Sequence, residues 1–540
     1  MKILAYNASH DGAAALIEDG RLIYSLEAEK DSGPRYGKIG PTLFLRSLLS
    51  PETPDVVVID MVSKPGTSPA QDWVDNASFM RALHLMNYSD ESPAAKSETD
   101  TYFVGRRVRQ FSSSHVRSHI MCGYGLSPFP QGQPCYALVS DGIVGTMYYV
   151  DDNVAIHKMG DVLWSPGDKY LLLWGLADPT LHAQDEGWVH RKELPGKLMS
   201  LAAFGTRGRA TSEQRELISE ILALGVFDML GAKPPPKARL TQSRFCDIGV
   251  ESQEFKDLAW QFSEAMFDRF HAFAKEHVKQ RLPLLVTGGC GLNCEWNSRW
   301  HDSGLFSGVF VPPCPNDSGI SIGGAIDAQH HYTGNAKIEW SVYAGDPFIE
   351  DVSGCADFDR EALDISKVCR LLLSGGVIAW VQDKYEIGPR ALGNRSMLAA
   401  PFEPETRDRL NRIKQREGFR PIAPICLLDE FDKHFENHGP SPHMLYFQRV
   451  KSANLRAITH VDGSARAQSV SDAENPRICD LLREFRKVSG VAVLCNTSLN
   501  FKGCGFINRL SHLFSYAHDR GLDALVVGDT LWMPRRPRDH

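Results

Sequence analysis

The first 30 residues alternate short apolar runs with tight acidic turns, and this pattern restricts the fold more than any other feature of the chain. Apolar runs over residues 2–6, 13–17 and 21–26 are separated by His10-Asp11-Gly12 and by Glu18-Asp19-Gly20. Asp-Gly between apolar runs is a strong signal for a β-hairpin. The sequence therefore predicts three successive strands joined by short turns.

The same pattern returns about 130 residues later. Strands are predicted over residues 135–140, 145–150 and 154–158, with turns at Asp141-Gly142 and at Asp151-Asp152-Asn153. The repetition favours a duplicated α/β unit, in which two lobes face each other across a cleft lined by the acidic turns. The alternative is that two unrelated hairpins share a pattern.

The rest of the chain carries weaker signals. Residues 205–245 are polar and contain three consecutive prolines, which predicts an insertion or loop. The pattern of predicted strands and helices becomes less regular around residues 335–365, so we place a domain boundary near 345–360. Helices are predicted from Glu295 and over 320–328. Further strands are predicted over residues 282–287, 309–311, 377–382, 491–495 and 524–527.

Composition excludes several classes of protein. The 540 residues include 59 Lys and Arg against 66 Asp and Glu, a net charge of -7, so a general affinity for nucleic acid is not expected. No apolar run reaches the roughly 18 residues that a membrane-spanning helix needs, so no membrane partner is expected. The N-terminus meets polar residues too early for a secretory signal. The 12 cysteines show no CxxC motif, which is typical of reduced thiols in a cytoplasmic protein.

Two histidines and two aspartates form a candidate metal site. His115 and His119 are four residues apart, so on a helix both imidazoles would share one face. Asp141 ends a predicted strand, and Asp317 lies in a loop rich in Gly and Pro. Two His and two carboxylates would suit a divalent first-row ion, with iron or manganese as plausible as zinc. The alternatives are surface or capping histidines, a plain hairpin aspartate and an Asx turn.

A glycine-rich loop is a candidate nucleotide site. Gly288, Gly289 and Asn293 lie between a predicted strand and a predicted helix. Glycines there let backbone amides approach phosphate, and a helix N-terminus favours anions. The loop matches neither the Walker A nor the GxGxxG pattern.

Arginines embedded among small residues mark the C-terminal part. Arg390, Arg420 and Arg466 lie in YEIGPRALGNRS, RPIAP and HVDGSAR, and Asn496 begins NTSLN. Arginine forms bidentate bonds to phosphate or carboxylate, and an unpaired buried charge is costly. These segments predict a site for a small phosphorylated substrate. The alternative is that the arginines are surface charges.

Together these segments resemble the O-carbamoyltransferase family, which includes the nodulation, nebramycin, geldanamycin and hydroxymethylcephem enzymes. The resemblance runs nearly end to end, and its versions of three motifs look most like the hydroxymethylcephem branch. Its markers are HDGAAALIEDG, SHVRSH, PGKLMSLAAFG, GGCGLNCEWN, PPCPNDSG, YEIGPRALGNRS, RPIAP, THVDGSARAQ and NTSLN.

The resemblance implies an α/β protein of two domains. Residues 1–350 would form an actin-like (ASKHA) carbamoyl-transfer domain similar to tRNA threonylcarbamoyl transferase. Residues 351–540 would form a YrdC-like domain that makes carbamoyl-adenylate from carbamoyl phosphate and ATP. The carbamoyl group would then pass to a hydroxyl of a small secondary-metabolite acceptor, as in antibiotic biosynthesis.

The resemblance also assigns roles to residues. His10 would lie where the carbamoyl group is transferred, as general base or orienting group. The metal, with Fe²⁺ favoured and Mn²⁺ or Zn²⁺ as alternatives, would be bound by His115, His119, Asp141 and Asp317. Carbamoyl phosphate would be bound by Arg390, Arg420, Arg466 and Asn496. Mg²⁺ would accompany ATP, and the oligomeric state stays open, with a homo-oligomer as one option.

Two departures and three alternatives accompany this interpretation. Cys504 stands where the family usually has Glu after NTSLN, and residues 112–114 are serines where the family often has a His. The alternatives are a tRNA threonylcarbamoyl transferase, an ASKHA sugar kinase and a non-catalytic relative. The acceptor pocket is expected to draw on the cleft and on residues 62–100 and 161–192, the second of which contains Asp185 and Glu186.

Overall fold

A computed structural model describes residues 1–48, 53–60, 96–142, 144–182, 191–225, 236–436 and 439–535. The chain divides into two compact units. The first joins Met1–Leu126 to Pro312–His540, and the second is Ser127–Val311. The predicted division into domains 1–350 and 351–540 stays a prediction.

The N-terminal part of the first unit builds a sheet in the strand order β3-β2-β1-β4-β6-β5, with β1 antiparallel to β2 and parallel to β4. Asp19 and Gly20 both have positive φ angles, of 47° and 78°, which a two-residue hairpin turn requires. The predicted N-terminal hairpin is therefore confirmed. The elements are β1 (Lys2–Asn7), β2 (Ala13–Glu18), β3 (Arg21–Glu27), α1 (Pro41–Ser47), β4 (Val56–Asp60), β5 (Lys96–Phe103), β6 (Arg106–Ser113) and α2 (His115–Leu126).

The second unit builds its own sheet with a matching order, β11-β10-β7-β8-β9. Here β7 is antiparallel to β8 and parallel to β10, as β1 is to β2 and β4, so the predicted repetition of the hairpin pattern is confirmed. Both hairpins also carry a register shift between their second and third strands. The elements are β7 (Cys135–Ser140), β8 (Gly145–Val150), β9 (Ile156–Asp161), α3 (Pro166–Ala177), α4 (Leu194–Ala202), α5 (Ser212–Ala223), α6 (Pro236–Arg239), α7 (Gln253–His277), β10 (Leu284–Thr287), α8 (Cys294–Asp302) and β11 (Val309–Phe310).

One sequence prediction for this unit was wrong in detail. The strand predicted from Val154 begins at Ile156, because Val154 has a φ of 62° and belongs to the turn. Residues 205–245, predicted as an insertion or loop, contain α5. A capping box between Thr211 and Gln214 starts that helix, and its apolar residues are buried. Residues 226–235, with most of the proline run, lie outside the described residues.

The remainder of the first unit contains a long helix and a second sheet, in the order β12-β21-β20-β13-β14-β19-β15-β18, with a small pair β16-β17 beside it. Strands β13, β15 and β20 are buried along their whole length and are continuous apolar runs in the sequence, whereas β14, equally buried, begins with Arg395 and Ser396. The elements are α9 (Ile320–Thr333), β12 (Phe358–Ala362), α10 (Ile365–Leu373), β13 (Val377–Val381), β14 (Arg395–Ala399), α11 (Pro404–Ile413), β15 (Ala423–Leu427), α12 (Phe431–His434), β16 (Gln448–Arg449), β17 (Ser464–Ala465), β18 (Gln468–Val470), α13 (Pro476–Ser489), β19 (Val493–Ser498), α14 (Leu510–Arg520), β20 (Ala524–Val527) and β21 (Thr530–Pro534).

Helices α1 and α9 pack on the first sheet, and α2 packs on α9. Leu4 and Tyr6 of β1 pack with Phe44 of α1, while α9 packs against β1, β2 and β4. Helix α9 also packs along α2 at very short range, because a Cβ added to Gly323 would lie 1.8 Å from the carbonyl oxygen of Ser118. Among the helices that the structure describes, none is long and apolar enough to cross a membrane.

Candidate active site

The two predicted metal-binding histidines lie at the start of α2, as the four-residue spacing predicts. The rings of His115 and His119 are perpendicular, with centroids 4.6 Å apart. The helix begins here because the side chain of Ser114 accepts a hydrogen bond from the backbone amide of Arg117. One of the serines that depart from the family pattern therefore acts as the helix cap.

Asp317 reaches this pair from the turn of 3₁₀ helix that precedes α9. Its Oδ1 lies 3.3 Å from Nε2 of His119 and 4.0 Å from Nε2 of His115. The ligand atoms of these three side chains all lie within 4.8 Å of one another, and all three are largely shielded from solvent. Imidazole nitrogens with a carboxylate oxygen suit Fe²⁺, Mn²⁺ or Zn²⁺, so this part of the predicted site fits a divalent first-row metal.

A buried ion pair joins the two helices that carry these ligands. Arg117, between the histidines on α2, donates from Nε and Nη2 to both carboxylate oxygens of Asp327 on α9, at 2.7 and 2.6 Å. Asp327 is fully buried and the Arg117 side chain is 7 % exposed. This bidentate geometry fixes the register of α2 against α9.

His10 lies beside the same carboxylate. Its Nδ1 is 2.9 Å from Oδ2 of Asp11, and its Nε2 is 3.3 Å from Oδ2 of Asp317. The His10 side chain is 39 % exposed, so it is accessible to a ligand. Burial raises the pKa of Asp11, an effect that its hydrogen bond to His10 opposes. Asp11 thus holds the imidazole with Nε2 on the side of the metal ligands.

Asp141, the fourth predicted metal ligand, belongs to the second unit, where it follows β7. Its Oδ1 accepts a hydrogen bond of 2.8 Å from the backbone amide of Gly289. Gly288 has a φ of 87°, and a Cβ there would lie 2.3 Å from the carbonyl oxygen of Ser140. The glycine-rich loop therefore packs directly on the turn that carries Asp141, and metal binding by Asp141 stays a prediction.

Asn293, predicted to bind nucleotide, caps a helix. Its Oδ1 accepts from the backbone amide of Trp296 in the first turn of α8, and its side chain is nearly buried. The role of this loop in nucleotide binding stays a prediction.

Asp168 is a group that sequence reasoning missed. It lies in the first turn of α3, and burial, together with the charge of Asp141, raises its pKa to about 6. The sequence signal was weak, because an acidic residue in a first helical turn is ordinary.

In the C-terminal part, Glu386 and Arg395 organise the loop that carries Arg390. One Glu386 oxygen accepts three backbone amide hydrogen bonds, from residues 392, 394 and 395. Arg395 is fully buried and donates to backbone carbonyls and to Oδ1 of Asn508. Arg395 is therefore structural, whereas Arg390 at the loop surface is half-buried.

Asn496 marks the point where the predicted substrate-binding segments meet. It pairs with Ala423 across β15 and β19, and its Nδ2 donates to Ala391 O and to Gln468 Oε1. These three partners lie one to three residues from Arg390, Arg420 and Arg466 in the sequence. The structure therefore brings together the segments that carry all four predicted residues.

The structure adds Lys414 and Arg416 to the predicted residues Arg420 and Arg466. We call these four residues the cationic cluster. Burial and the neighbouring cations lower the pKa of Lys414 and lower the pKa of Arg416 to about 9. The pKa of Arg420 is also lowered by burial, which Glu417 opposes. Desolvated like charges repel one another, so an anionic ligand would relieve the cluster. Both residues lie in the segment IKQREGFRP, but their spacing in the sequence does not distinguish them from ordinary surface charges.

Two family models match the chain. The carbamoyltransferase C-terminus model matches residues 369–533, and the carbamoyltransferase N-terminus model matches residues 241–326. Among solved structures compared with the chain, a ROK hexokinase from Thermus thermophilus has 11 % identity and a TM-score of 0.26, with 60 % of this chain and 98 % of that chain covered. The chain is a mixed α/β protein, and the YrdC-like assignment of its C-terminal part stays a prediction.

Three curated relatives span almost the whole chain. The 3'-hydroxymethylcephem-O-carbamoyltransferase of Amycolatopsis lactamdurans is 44 % identical over 99 % of both chains. Its counterpart from Streptomyces clavuligerus is 43 % identical over 99 % of both chains. Nodulation protein U of Bradyrhizobium diazoefficiens is 31 % identical over 94 % of this chain and 93 % of its own. With this identity along its full length, the chain belongs to the carbamoyltransferase family of enzymes.

Proposed function

We propose that this enzyme uses ATP to transfer the carbamoyl group of carbamoyl phosphate, through carbamoyl-adenylate, to a hydroxyl of a small secondary metabolite. The names of the relatives at 43–44 % identity make a 3'-hydroxymethylcephem the first acceptor to test. Residues 62–95 and 183–190, from which we expected part of the acceptor pocket, lie outside the described residues.

The proposal rests on two buried polar atoms, one in the cationic cluster and one in Asn496. Among the described residues, Nε of Arg466 finds no acceptor and Oδ1 of Asn496 finds no donor. A buried polar atom without a partner costs about 1–3 kcal/mol, so such atoms point to a ligand. Carbamoyl phosphate supplies both complements, since its phosphate accepts hydrogen bonds and its amide nitrogen donates them.

The proposed reaction has three steps. Water cleaves carbamoyl phosphate to carbamate and phosphate. A carbamate oxygen then attacks the α-phosphorus of ATP and displaces pyrophosphate, which gives carbamoyl-adenylate. The acceptor hydroxyl finally attacks the carbamoyl carbon and displaces AMP, while its proton passes to a base. Each turnover therefore releases one phosphate, one pyrophosphate and one AMP.

The chain supplies electrostatic and proton-transfer groups for these steps. The cationic cluster would neutralise the phosphate charge, and Asn496 would orient the carbamoyl amide. His10, held through Nδ1 by Asp11, would accept the hydroxyl proton at Nε2 or orient the carbamoyl group. A divalent metal bound by His115, His119 and Asp317, and by Asp141 as predicted, would supply Lewis-acid polarisation. ATP would bind together with Mg²⁺.

Product analysis tests the proposal. With ATP, carbamoyl phosphate and the cephem alcohol, we expect pyrophosphate release and a carbamoylated acceptor detected by mass spectrometry. Pyrophosphate release that does not depend on carbamoyl phosphate would contradict it, and so would transfer of a phosphoryl group to the acceptor, which a kinase would give.

Replacing His10 separates the two half-reactions. His10→Asn keeps a polar side chain of similar reach but cannot take up the proton. We expect carbamoyl-phosphate-dependent exchange of pyrophosphate into ATP to persist while acceptor carbamoylation is lost. His518→Asn, an exposed histidine on α14, serves as the control and should retain both. Normal transfer by His10→Asn would remove His10 from the mechanism.

A further inference from the structure

The turn that carries His10 begins at Asn7, the last residue of β1, whose side chain is fully buried. Oδ1 of Asn7 accepts hydrogen bonds from the backbone amide of Ser9 at 3.1 Å and from Oγ of Ser9 at 2.9 Å. An asparagine that bonds to the backbone two residues further on forms an Asx turn. Because a backbone amide can only donate, these bonds identify Oδ1 and leave Nδ2 of Asn7 as a donor on the other side.

Nδ2 of Asn7 donates to three backbone carbonyl oxygens. Two of them lie within the turn, at 3.2 Å for His10 and 3.3 Å for Asp11. The third bond is the shortest, at 2.9 Å, and reaches the carbonyl oxygen of Asp317, 310 residues away in the sequence. A single buried amide group therefore joins the backbone of the His10 turn to the backbone of a predicted metal ligand.

A second hydrogen bond joins the same two turns through side chains. Nδ2 of Asn316 donates to Oδ1 of Asp11 at 3.2 Å, while Oδ2 of Asp11 lies 2.9 Å from Nδ1 of His10. Oδ1 of Asn316 in turn accepts a hydrogen bond of 3.2 Å from Oγ of Ser318. The carboxylate that orients the His10 imidazole is thus tied to the turn that carries Asp317.

The backbone next to His10 is strained, which explains why it needs this support. Asp11 has a φ of 53°, in the left-handed region that few residues other than glycine adopt. Such a conformation costs about 1–3 kcal/mol and persists only where the surrounding structure holds it in place. The carbonyl groups on both sides of the Asp11 Cα, those of His10 and of Asp11 itself, accept from Asn7. Asn7 therefore stabilises the strained conformation that directs His10.

The far end of the turn is held by other residues. The amide of Gly12 donates to Gly37 O at 2.8 Å, and the amide of Ala28 donates to Gly12 O at 2.7 Å. The loss of Asn7 should therefore loosen residues 8–11 and leave Gly12 in place.

The segment that packs against Gly12 is itself anchored by a short antiparallel ladder between residues 32–35 and 503–506. Pro34 faces Cys504 in the middle of the ladder. Its backbone hydrogen bonds, each 2.9 Å long, run from Ser32 N to Phe506 O, from Gly505 N to Gly33 O and from Arg35 N to Gly503 O. The support behind the turn thus does not involve the Asn7 side chain.

We propose that Asn7 is a positioning residue for carbamoyl transfer, which holds Nε2 of His10 at its distance of 3.3 Å from Oδ2 of Asp317. Asp317 presents its other oxygen to His119, so its carboxylate is the common reference for the predicted metal ligands and for His10. The proposal rests on the proposed function, which gives His10 its part in the transfer step. Asn7 acts through His10, and a displacement of about 1 Å at a reacting group can cost on the order of a hundredfold in rate.

The full-length Asn7→Ser variant tests the long-range bond by itself. A serine hydroxyl can still accept from the amide of Ser9, as in an ST turn, but it is too short to reach the carbonyl oxygen of Asp317. We expect the ratio of acceptor carbamoylation to carbamoyl-phosphate-dependent pyrophosphate exchange to fall about ten- to hundredfold. This ratio does not depend on the fraction of folded protein, so a loss of stability alone would leave it unchanged. The metal content per chain, measured by elemental analysis, should equal that of the parent protein.

Two further variants serve as controls. Asn7→Ala removes the Asx turn together with the long-range bond and should lower the ratio at least as far as Asn7→Ser. Gln329→Ala removes another buried side-chain amide that donates to two backbone carbonyls, those of Asn335 and Lys337, and it should keep the parental ratio. Should Asn7→Ala not fold, the comparison of Asn7→Ser with Gln329→Ala decides.

The outcomes separate this proposal from the proposed function. A parental ratio in Asn7→Ser, with transfer lost in His10→Asn, would overturn the role of Asn7 alone. An equal fall of exchange and transfer in Asn7→Ser, or a loss of its metal, would also overturn it, because Asn7 would then act on the fold or on the metal ligand instead of on His10. Normal transfer by His10→Asn, or no pyrophosphate exchange in the parent protein, would overturn the proposed function and the role of Asn7 with it.

Discussion

The buried pair of Arg117 and Asp327 leads to a quantitative prediction about the metal-binding helix. Removing one partner of a buried, bidentate pair leaves an uncompensated charge, which costs about 3–5 kcal/mol. Arg117→Met should therefore raise the opening constant of α2 by roughly a hundred- to several thousandfold, since each 1.4 kcal/mol is a factor of ten. Asp327 is fully buried, so solvent does not screen this loss.

Hydrogen exchange measured by mass spectrometry on peptides covering α2 is the appropriate assay, because it reports local opening in a chain with more than one unit. The double variant Arg117→Met with Asp327→Leu should recover most of the protection, since an apolar pair of similar volume replaces the ion pair. The control Arg107→Met breaks an exposed pair with Asp100 and should change exchange by less than about 1 kcal/mol.

Metal content then distinguishes an effect of the ion pair on the stability of α2 from an effect on the position of the metal ligands. If the pair sets the register of His115 and His119 against Asp317, the double variant should be protected from exchange but bind less metal, as measured by elemental analysis. Exchange in Arg117→Met equal to that of the parent protein would refute the reasoning from burial. Full metal content in a protected double variant would show that packing at Gly323 sets the register without the pair.

Three further predictions concern the metal site and the cationic cluster. His119→Ala should remove the bound first-row metal, measured per chain by elemental analysis, and full occupancy would contradict the assignment. Arg420→Lys keeps the charge but loses the bidentate geometry, so it should raise the KM for carbamoyl phosphate in a steady-state assay, and an unchanged KM would place the phosphate elsewhere. Because burial and like charges lower the pKa values of Lys414 and Arg416, the latter to about 9, binding of a phosphate anion should raise them and take up protons. Titration calorimetry of the phosphate ligand in buffers of different ionisation enthalpy should show that binding takes up protons, and that this proton uptake grows from neutral pH towards pH 9. The affinity for the ligand should fall as the pH rises further. Proton release on binding would contradict this prediction.

The sequence predicted the hairpins and the helical histidine pair because local rules decide them. Asp19-Gly20 adopts the two positive φ angles that its turn needs, and the spacing of His115 and His119 places both on one helical face. Long-range partners were not predictable in the same way. Nothing in the spacing of Arg117 and Asp327, 210 residues apart, indicates that they pair.

Residue type alone also failed to sort the arginines of the C-terminal part. Arg390 and Arg395 lie in one motif, yet the guanidinium of Arg395 donates its hydrogen bonds to backbone carbonyl oxygens inside the loop. Lys414 and Arg416 resemble surface charges in sequence because their burial depends on tertiary packing around Asn411 and Asn500. The resemblance to a family supplied what the residues alone could not, which is the grouping of distant segments into one site.

The ladder between residues 32–35 and 503–506 also constrains how the protein is made. Pro34 and Cys504 are 470 positions apart, so contacts of very high sequence separation join the segment after β3 to the C-terminal loops. A chain emerging from the ribosome folds from its N-terminus, and non-local contacts form slowly because loop closure costs entropy. Residues 32–35 therefore lack these backbone partners until the C-terminal loops have been synthesised. The contact between this N-terminal segment and the C-terminal loops is therefore expected to be among the last parts of the enzyme to form.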